Sequence, residues 1–158
     1  MTKEQTIIHS ASPEQTRGIA RCLGRILPEG TVIAAYGDLG AGKTLFAAAL
    51  AAGLGVEETV ASPTFIFFQD YQGRIPFCHL DAYRLEGLDQ EEKSLIGLDD
   101  CFAPAKAVFV EWPGFVREWL PPETIDLTLG VTGDASRSLE FCYDAGLHPW
   151  LKEALSCF

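Results

Sequence analysis

Eight consecutive residues, Gly37-Asp38-Leu39-Gly40-Ala41-Gly42-Lys43-Thr44, combine the groups that grip a phosphate chain. They fit the pattern G-x-x-x-x-G-K-[ST]. The glycines at 37, 40 and 42 carry no Cβ, so the backbone can turn through positive φ and close on an anion. Consecutive amides then line a concave anion site at the start of a helix, whose dipole adds positive field. Lys43 supplies an ammonium for the β- and γ-phosphates, and the Thr44 hydroxyl suits Mg²⁺. The spacing predicts binding of a nucleoside triphosphate. Asp38, Leu39, Gly40, Ala41, Gly42, Lys43, Thr44 and Leu45 form its cradle.

Such a loop needs a further carboxylate to hold the ion, usually at the end of an apolar strand. Two acids fit. Asp81 follows Phe77-Cys78-His79-Leu80, and Glu111 follows Ala107-Val108-Phe109-Val110. Parallel strands of one sheet deliver their C-terminal ends to the same edge, so both are expected near the terminal phosphate. Asp81 reads as the Mg²⁺ partner of Thr44, and Glu111 as the group that orients or deprotonates the attacking water. The exchange of these two roles stays open, so Glu111 is also a metal candidate. Lys43, Asp81 and Glu111 together are the catalytic set. His79, two residues before Asp81, shares its strand face and reads first as a hydrogen-bonded structural histidine. Trp112 reads as a ring that stacks on a base or covers the site, or equally as a core tryptophan.

The elements around these residues follow from pattern. Thr31 to Tyr36 is an apolar run of strand length before the loop. Leu45 to Leu54, almost wholly Ala, Leu and Phe, is a helix after it. Thr6 to His9 is a short strand. Ser12-Pro13-Glu14-Gln15 starts a helix as a capping box with proline in the first turn. Its apolar face carries Ile19, Ala20, Leu23, Ile26 and Leu27, and Arg17, Arg21 and Arg25 form a stripe that reads first as a solvated face and second as a surface for a partner or RNA. Phe65 to Tyr71 and Arg74 to Leu80 flank Gln72-Gly73 as an antiparallel hairpin, with Pro76 marking an edge or a late strand start. Acidic helical turns fill Asp81 to Asp100, and a brief helix runs from Phe115 to Leu120. Ile125, Leu127, Leu129 and Val131 alternate with polar residues. Leu139, Phe141 and Tyr143 repeat that alternation as a second hairpin, and a last helix begins near Pro149. The predicted class is α/β: a P-loop NTPase-like sheet whose parallel core is extended by antiparallel hairpins and flanked by helices, one domain over 1–158.

Composition narrows the function. Twelve basic residues against 22 acidic ones give a net charge of −10, the opposite of a free-standing nucleic-acid binder. An acidic protein in nucleic-acid chemistry is expected to work through protein partners. Five cysteines without a C-x-x-C pair argue against a metal site or a disulfide framework. The N-terminus lacks a signal-peptide core and no apolar stretch is long enough to span a bilayer, so a soluble, cytoplasmic protein is expected. The chain contains no Asn, which removes the N-K-x-D reader of guanine. Arg84 is the only arginine beside a candidate carboxylate, too few for a small-molecule kinase. ATP is the expected nucleotide and water the expected phosphoryl acceptor.

The loop, then Ser62-Pro63-Thr64-Phe65 with Tyr71, then His79-Leu80-Asp81-Ala82-Tyr83-Arg84-Leu85, then Val110-Glu111-Trp112-Pro113 resemble the TsaE (YjeE) family in motif order and length. The resemblance implies a weak ATPase required for threonylcarbamoyladenosine in tRNA. Such a protein acts with a TsaD-like transferase and a TsaB-like partner, meets tRNA only through that complex and needs no membrane. It further implies that Thr44 and Asp81 serve Mg²⁺, that Glu111 serves hydrolysis, and that Ser62 and Thr64 belong to a nucleotide-sensing loop. Trp112 would lie near the nucleotide. Two other readings keep the same loop: a small-molecule kinase, and a nucleotide-dependent binding switch with negligible hydrolysis.

Overall fold

The computed structural model describes residues 3–61 and 67–158, so the readings placed on Ser62 and Thr64 lie outside the described residues. One seven-stranded sheet organises the molecule in the order β1-β7-β6-β2-β5-β4-β3. Its strands are β1 (Lys3–Ser10), β2 (Val32–Tyr36), β3 (Phe68–Gln72), β4 (Pro76–Asp81), β5 (Ala107–Glu111), β6 (Ile125–Val131) and β7 (Arg137–Asp144). Strand β2 lies between β6 and β5, parallel to both, and β4 continues the parallel core beside β5. A continuous apolar run is what a strand covered on both faces requires, and β2 and β5 have one. The outer strands are antiparallel: β3 on β4, β7 on β6, and β1 on β7. This is the predicted mixed sheet. Pro76 opens β4, which is an inner strand, so its late-start reading is the one the structure adopts.

Helices cover both faces. On one side α1 (Pro13–Ile26), α2 (Lys43–Gly53) and α5 (Pro149–Leu155) lie over Ile33, Phe77, Phe109, Leu127 and Phe141. On the other, α3 (Gln90–Leu95), α4 (Leu98–Cys101) and two 3₁₀ segments, Ala82–Leu85 and Pro113–Trp119, cover Cys78, Leu80, Val108 and Val110. Alternation along β4 and β5 therefore sends odd-numbered side chains toward α2 and even-numbered ones away from it. Among the described residues no helix is long and apolar enough to cross a membrane. The five cysteines are free, with Cys78 and Cys101 buried.

Local chemistry explains the helix starts. Ser12 Oγ accepts from Gln15 N at 3.1 Å, and Gln15 Oε1 returns to Ala11 N at 2.8 Å, one residue earlier than a strict capping box. Two expected core positions lie outside it. Ile26, the last residue of α1, is 51% exposed, although Ile19, two turns earlier on nearly the same face, is buried at 2%. Val131 is 59% exposed at the end of β6, where the hairpin turn leaves the core.

Candidate functional site

The loop between β2 and α2 is shaped by backbone that only glycine adopts freely. Gly40 and Gly42 have φ of 85° and 107°, and a Cβ built on either meets no atom within 4 Å. The dihedral angle, not crowding, requires glycine there. Lys43 Nζ donates to Gly37 O and to Asp38 O, the latter at 3.2 Å, and stands 4.0 Å from the centre of the Trp112 ring. Burial lowers its pKa, and the charges of Glu111, Asp38 and Asp81 partly offset that. Arg137, at the start of β7, braces the loop from outside: Nε donates to Ala41 O at 2.9 Å and Nη2 to Gly40 O at 3.4 Å.

The parallel register of β4 and β5 pairs Asp81 directly with Glu111. Both acids thus stand at the sheet edge where β2 runs into the loop. Glu111 is only 4% exposed. The Thr44 hydroxyl lies 3.1 Å from each of its carboxylate oxygens, and His79 Nε2 lies 2.5 Å from Oε2. A carboxylate only accepts, so Nε2 carries the proton toward it. Asp81 Oδ1 accepts from Tyr83 N at 3.1 Å and so caps the first 3₁₀ segment. Gly40, Lys43, Thr44, Asp81, Glu111 and Trp112 line one cleft of about 340 Å³. Leu39, Gly42 and Leu45 also line it, while Ala41 lies beneath the loop, 1% exposed, and Asp38 faces a neighbouring groove.

Trp112 has φ 57°, the single positive φ of a non-glycine among the described residues. Such backbone costs about 1–3 kcal/mol and survives only where its surroundings impose it. Here they do. Tyr83 packs edge-on against Trp112 at 5.4 Å and against Phe115 at 5.8 Å, tying the end of β4 to the end of β5. The segment after Trp112 is anchored in turn by Lys93, which donates to Phe115 O and to Glu118, each at 2.8 Å. Lys93 and then Gln90 hold the Glu118 carboxyl down to about 2.

A metal ion fits this donor set in one way. Thr44, Asp81 and Glu111 offer hard oxygen atoms suited to Mg²⁺. Among the described residues no group of three or more His, Cys, Asp or Glu could hold a metal ion alone. A metal ion held here would need its remaining ligands from phosphate and water, the habit of Mg²⁺ rather than of a structural metal.

Every sequence-predicted residue within the described range, from Asp38 to Trp112, gathers around the loop and its adjoining strand ends. Reading the sequence missed Arg137, and it missed that His79 meets Glu111. Neither carries a local signal, since the contacts join residues 96 and 32 positions apart.

The strand–loop–helix unit at the centre of this mixed sheet, with acids on the neighbouring strand ends, defines a P-loop NTPase-like α/β protein. Residues 10–139 match the family model described as threonylcarbamoyl adenosine biosynthesis protein TsaE. The tRNA threonylcarbamoyladenosine biosynthesis protein TsaE of Bacillus subtilis is 36% identical over 148 residues, covering 93% of this chain and 91% of the relative. Its counterpart from Treponema pallidum is 38% identical over 130 residues, covering 82% and 95%. The crystal structure of YdiB from Bacillus subtilis superposes with a TM-score of 0.81 at 31% identity, covering 99% of this chain and 97% of that one. The chain belongs to the TsaE family, whose named role is in the biosynthesis of threonylcarbamoyladenosine in tRNA.

Proposed function

We propose that the chain binds Mg–ATP in the loop Gly37–Thr44 and hydrolyses it slowly, as the ATPase that serves threonylcarbamoyl modification of tRNA together with a TsaD-like transferase and a TsaB-like protein. The observation that carries this reading is the Thr44 hydroxyl bonded to both Glu111 oxygens, with Lys43 beside them and Asp81 paired across the strands. A phosphate seated on the loop amides would offer Lys43 a stronger acceptor than Gly37 O and Asp38 O, and the ammonium would turn to it. Thr44 and Asp81 would hold Mg²⁺, which would supply positive charge to offset that of the phosphates. Glu111 would then be released from Thr44 and free to orient a water in line with the terminal phosphate. Trp112 and Tyr83 would narrow access to that water. The acidic surface suits work through protein partners, with tRNA reached only through the complex.

The test is ATP hydrolysis by the purified chain, alone and with the transferase pair and tRNA. The parent should turn over slowly alone and faster in the mixture, and Lys43→Ala should abolish turnover in both while melting normally. Parental turnover in Lys43→Ala would remove the loop from the mechanism. A phosphorylated small molecule in place of free phosphate would make the chain a kinase, and tight binding without turnover would make it a switch.

A further inference from the structure

We propose that His79 is a positioning residue for hydrolysis, one that fixes which oxygen of Glu111 faces the cleft; this rests on the ATPase reading above. The histidine is fully buried, on β4, two residues before Asp81 and opposite Phe109 of β5. Its ring meets Phe109 edge-on at 6.1 Å, so apolar packing blocks rotation on that side. Nε2 donates to Glu111 Oε2 at 2.5 Å, while Nδ1 has no partner among the described residues. A lone pair at Nδ1 matches that environment better than a buried N–H would, because unsatisfied donors cost more than underused acceptors. Among the described residues, the only polar work of this side chain is therefore its bond to Glu111.

That bond is asymmetric, and the asymmetry carries the inference. Thr44 lies equally far from both oxygens of Glu111, but His79 touches Oε2 alone. Once the Thr44 hydroxyl turns to another ligand, Oε2 stays occupied and Oε1 is the oxygen left to accept from water. A buried carboxylate without that tether could rotate about its last torsion, which is broad and shallow for glutamate. Holding the acceptor in one orientation before the water arrives is what raises turnover without tightening nucleotide binding. His79 touches neither nucleotide nor water in this arrangement and acts only through Glu111.

The test compares His79→Leu, which keeps bulk without a donor, with His79→Gln, whose side-chain amide can donate to Oε2. Turnover with saturating Mg–ATP, ATP affinity by titration calorimetry and thermal melting are measured for each, and again in a Glu111→Gln background. Expected is a loss of turnover on the order of 10- to 100-fold in His79→Leu, the usual size of a supporting-contact effect. Affinity should stay within about twofold, since the bond is silent in binding. His79→Gln should recover most of the turnover, and His79→Leu should add no further loss to Glu111→Gln. Unchanged turnover in His79→Leu overturns the proposal while leaving the ATPase reading in place. So do equal losses of affinity and turnover that Gln does not restore, which mark a merely structural histidine. Should His79→Leu fail to melt cooperatively, His79→Gln decides: near-parental turnover supports the proposal, and turnover as low as Glu111→Gln overturns it. A parent chain inert even with its partners overturns both readings.

Discussion

A single hydroxyl proton links the two halves of the candidate site. Thr44 lies in the first turn of α2 and Glu111 ends β5, and the hydroxyl between them lies 3.1 Å from each carboxylate oxygen. In the proposed working state that hydroxyl exchanges one charged acceptor for the ion held beside the phosphates. Thr44→Val keeps the shape of the side chain and removes only this exchange. The magnesium-dependent gain in ATP affinity should then fall by roughly tenfold or more, the scale of losing one well-placed contact at a metal site. Affinity measured with a chelator present should move less than about twofold. Stability should drop by about 1–3 kcal/mol, because a buried carboxylate loses one of its two hydrogen-bond partners among the described residues. Titrations with and without Mg²⁺ separate these effects; equal weakening under both conditions would make Thr44 a plain phosphate contact. At this scale the loop was legible in the sequence because all of its chemistry lies within eight adjacent residues. His79 was legible only as a residue on the face of Asp81, since its partner is set by the register of β4 on β5.

Helices α1 and α2 cross where both lack side chains. A Cβ on Gly24 would sit 2.1 Å from Leu50 O and 3.0 Å from Gly53 Cα; one on Gly53 would sit 2.2 Å from Arg21 O. These neighbours are backbone atoms, so neither contact can be relieved by a rotamer change, and the helices would have to move apart. Gly24→Ala or Gly53→Ala should therefore lower stability by about 1–3 kcal/mol, the range for overpacked cores, despite the better helix propensity of alanine. Chemical denaturation of both variants checks this, with Gly18→Ala as control, because a Cβ at Gly18 meets nothing within 4 Å. A stabilised Gly53→Ala chain would show that the crossing is loose. Nothing local in the sequence marks these two glycines, and the crossing explains them. Ile26, which periodicity alone assigns to the core, is exposed where α1 ends. Capping at Ser12, the strand before the loop and both hairpins were legible because each depends on residues close in the chain. The places of β1 on β7 and β6 on β2 were not, because pairing across the sheet leaves no trace in local pattern.

Over the whole molecule the charge of −10 opposes any anionic ligand, so a nucleotide can be held only where the local field reverses sign. In the proposed reading that place is the loop amides, the start of α2 and Lys43, which converge only in the folded chain. The unfolded chain keeps Lys43 but loses the converging amides, so it has no comparable site. Binding to the folded form alone couples ligand to stability, by about 2.7 kcal/mol when free Mg–ATP is 100 times its dissociation constant. For a chain of this size each kcal/mol moves the melting midpoint by roughly 2–4 °C, so Mg–ATP should raise it by roughly 5–10 °C. Lys43→Ala should show no rise. Gly24→Ala, destabilised far from the loop, should melt lower but rise by a similar increment, because the two effects act at separate sites. His79→Leu should also keep the increment if its role lies in turnover rather than binding. Thermal melts of these four chains with and without Mg–ATP decide the matter. A parent midpoint unmoved by saturating Mg–ATP would remove the nucleotide from the loop, however well the fold matches its family.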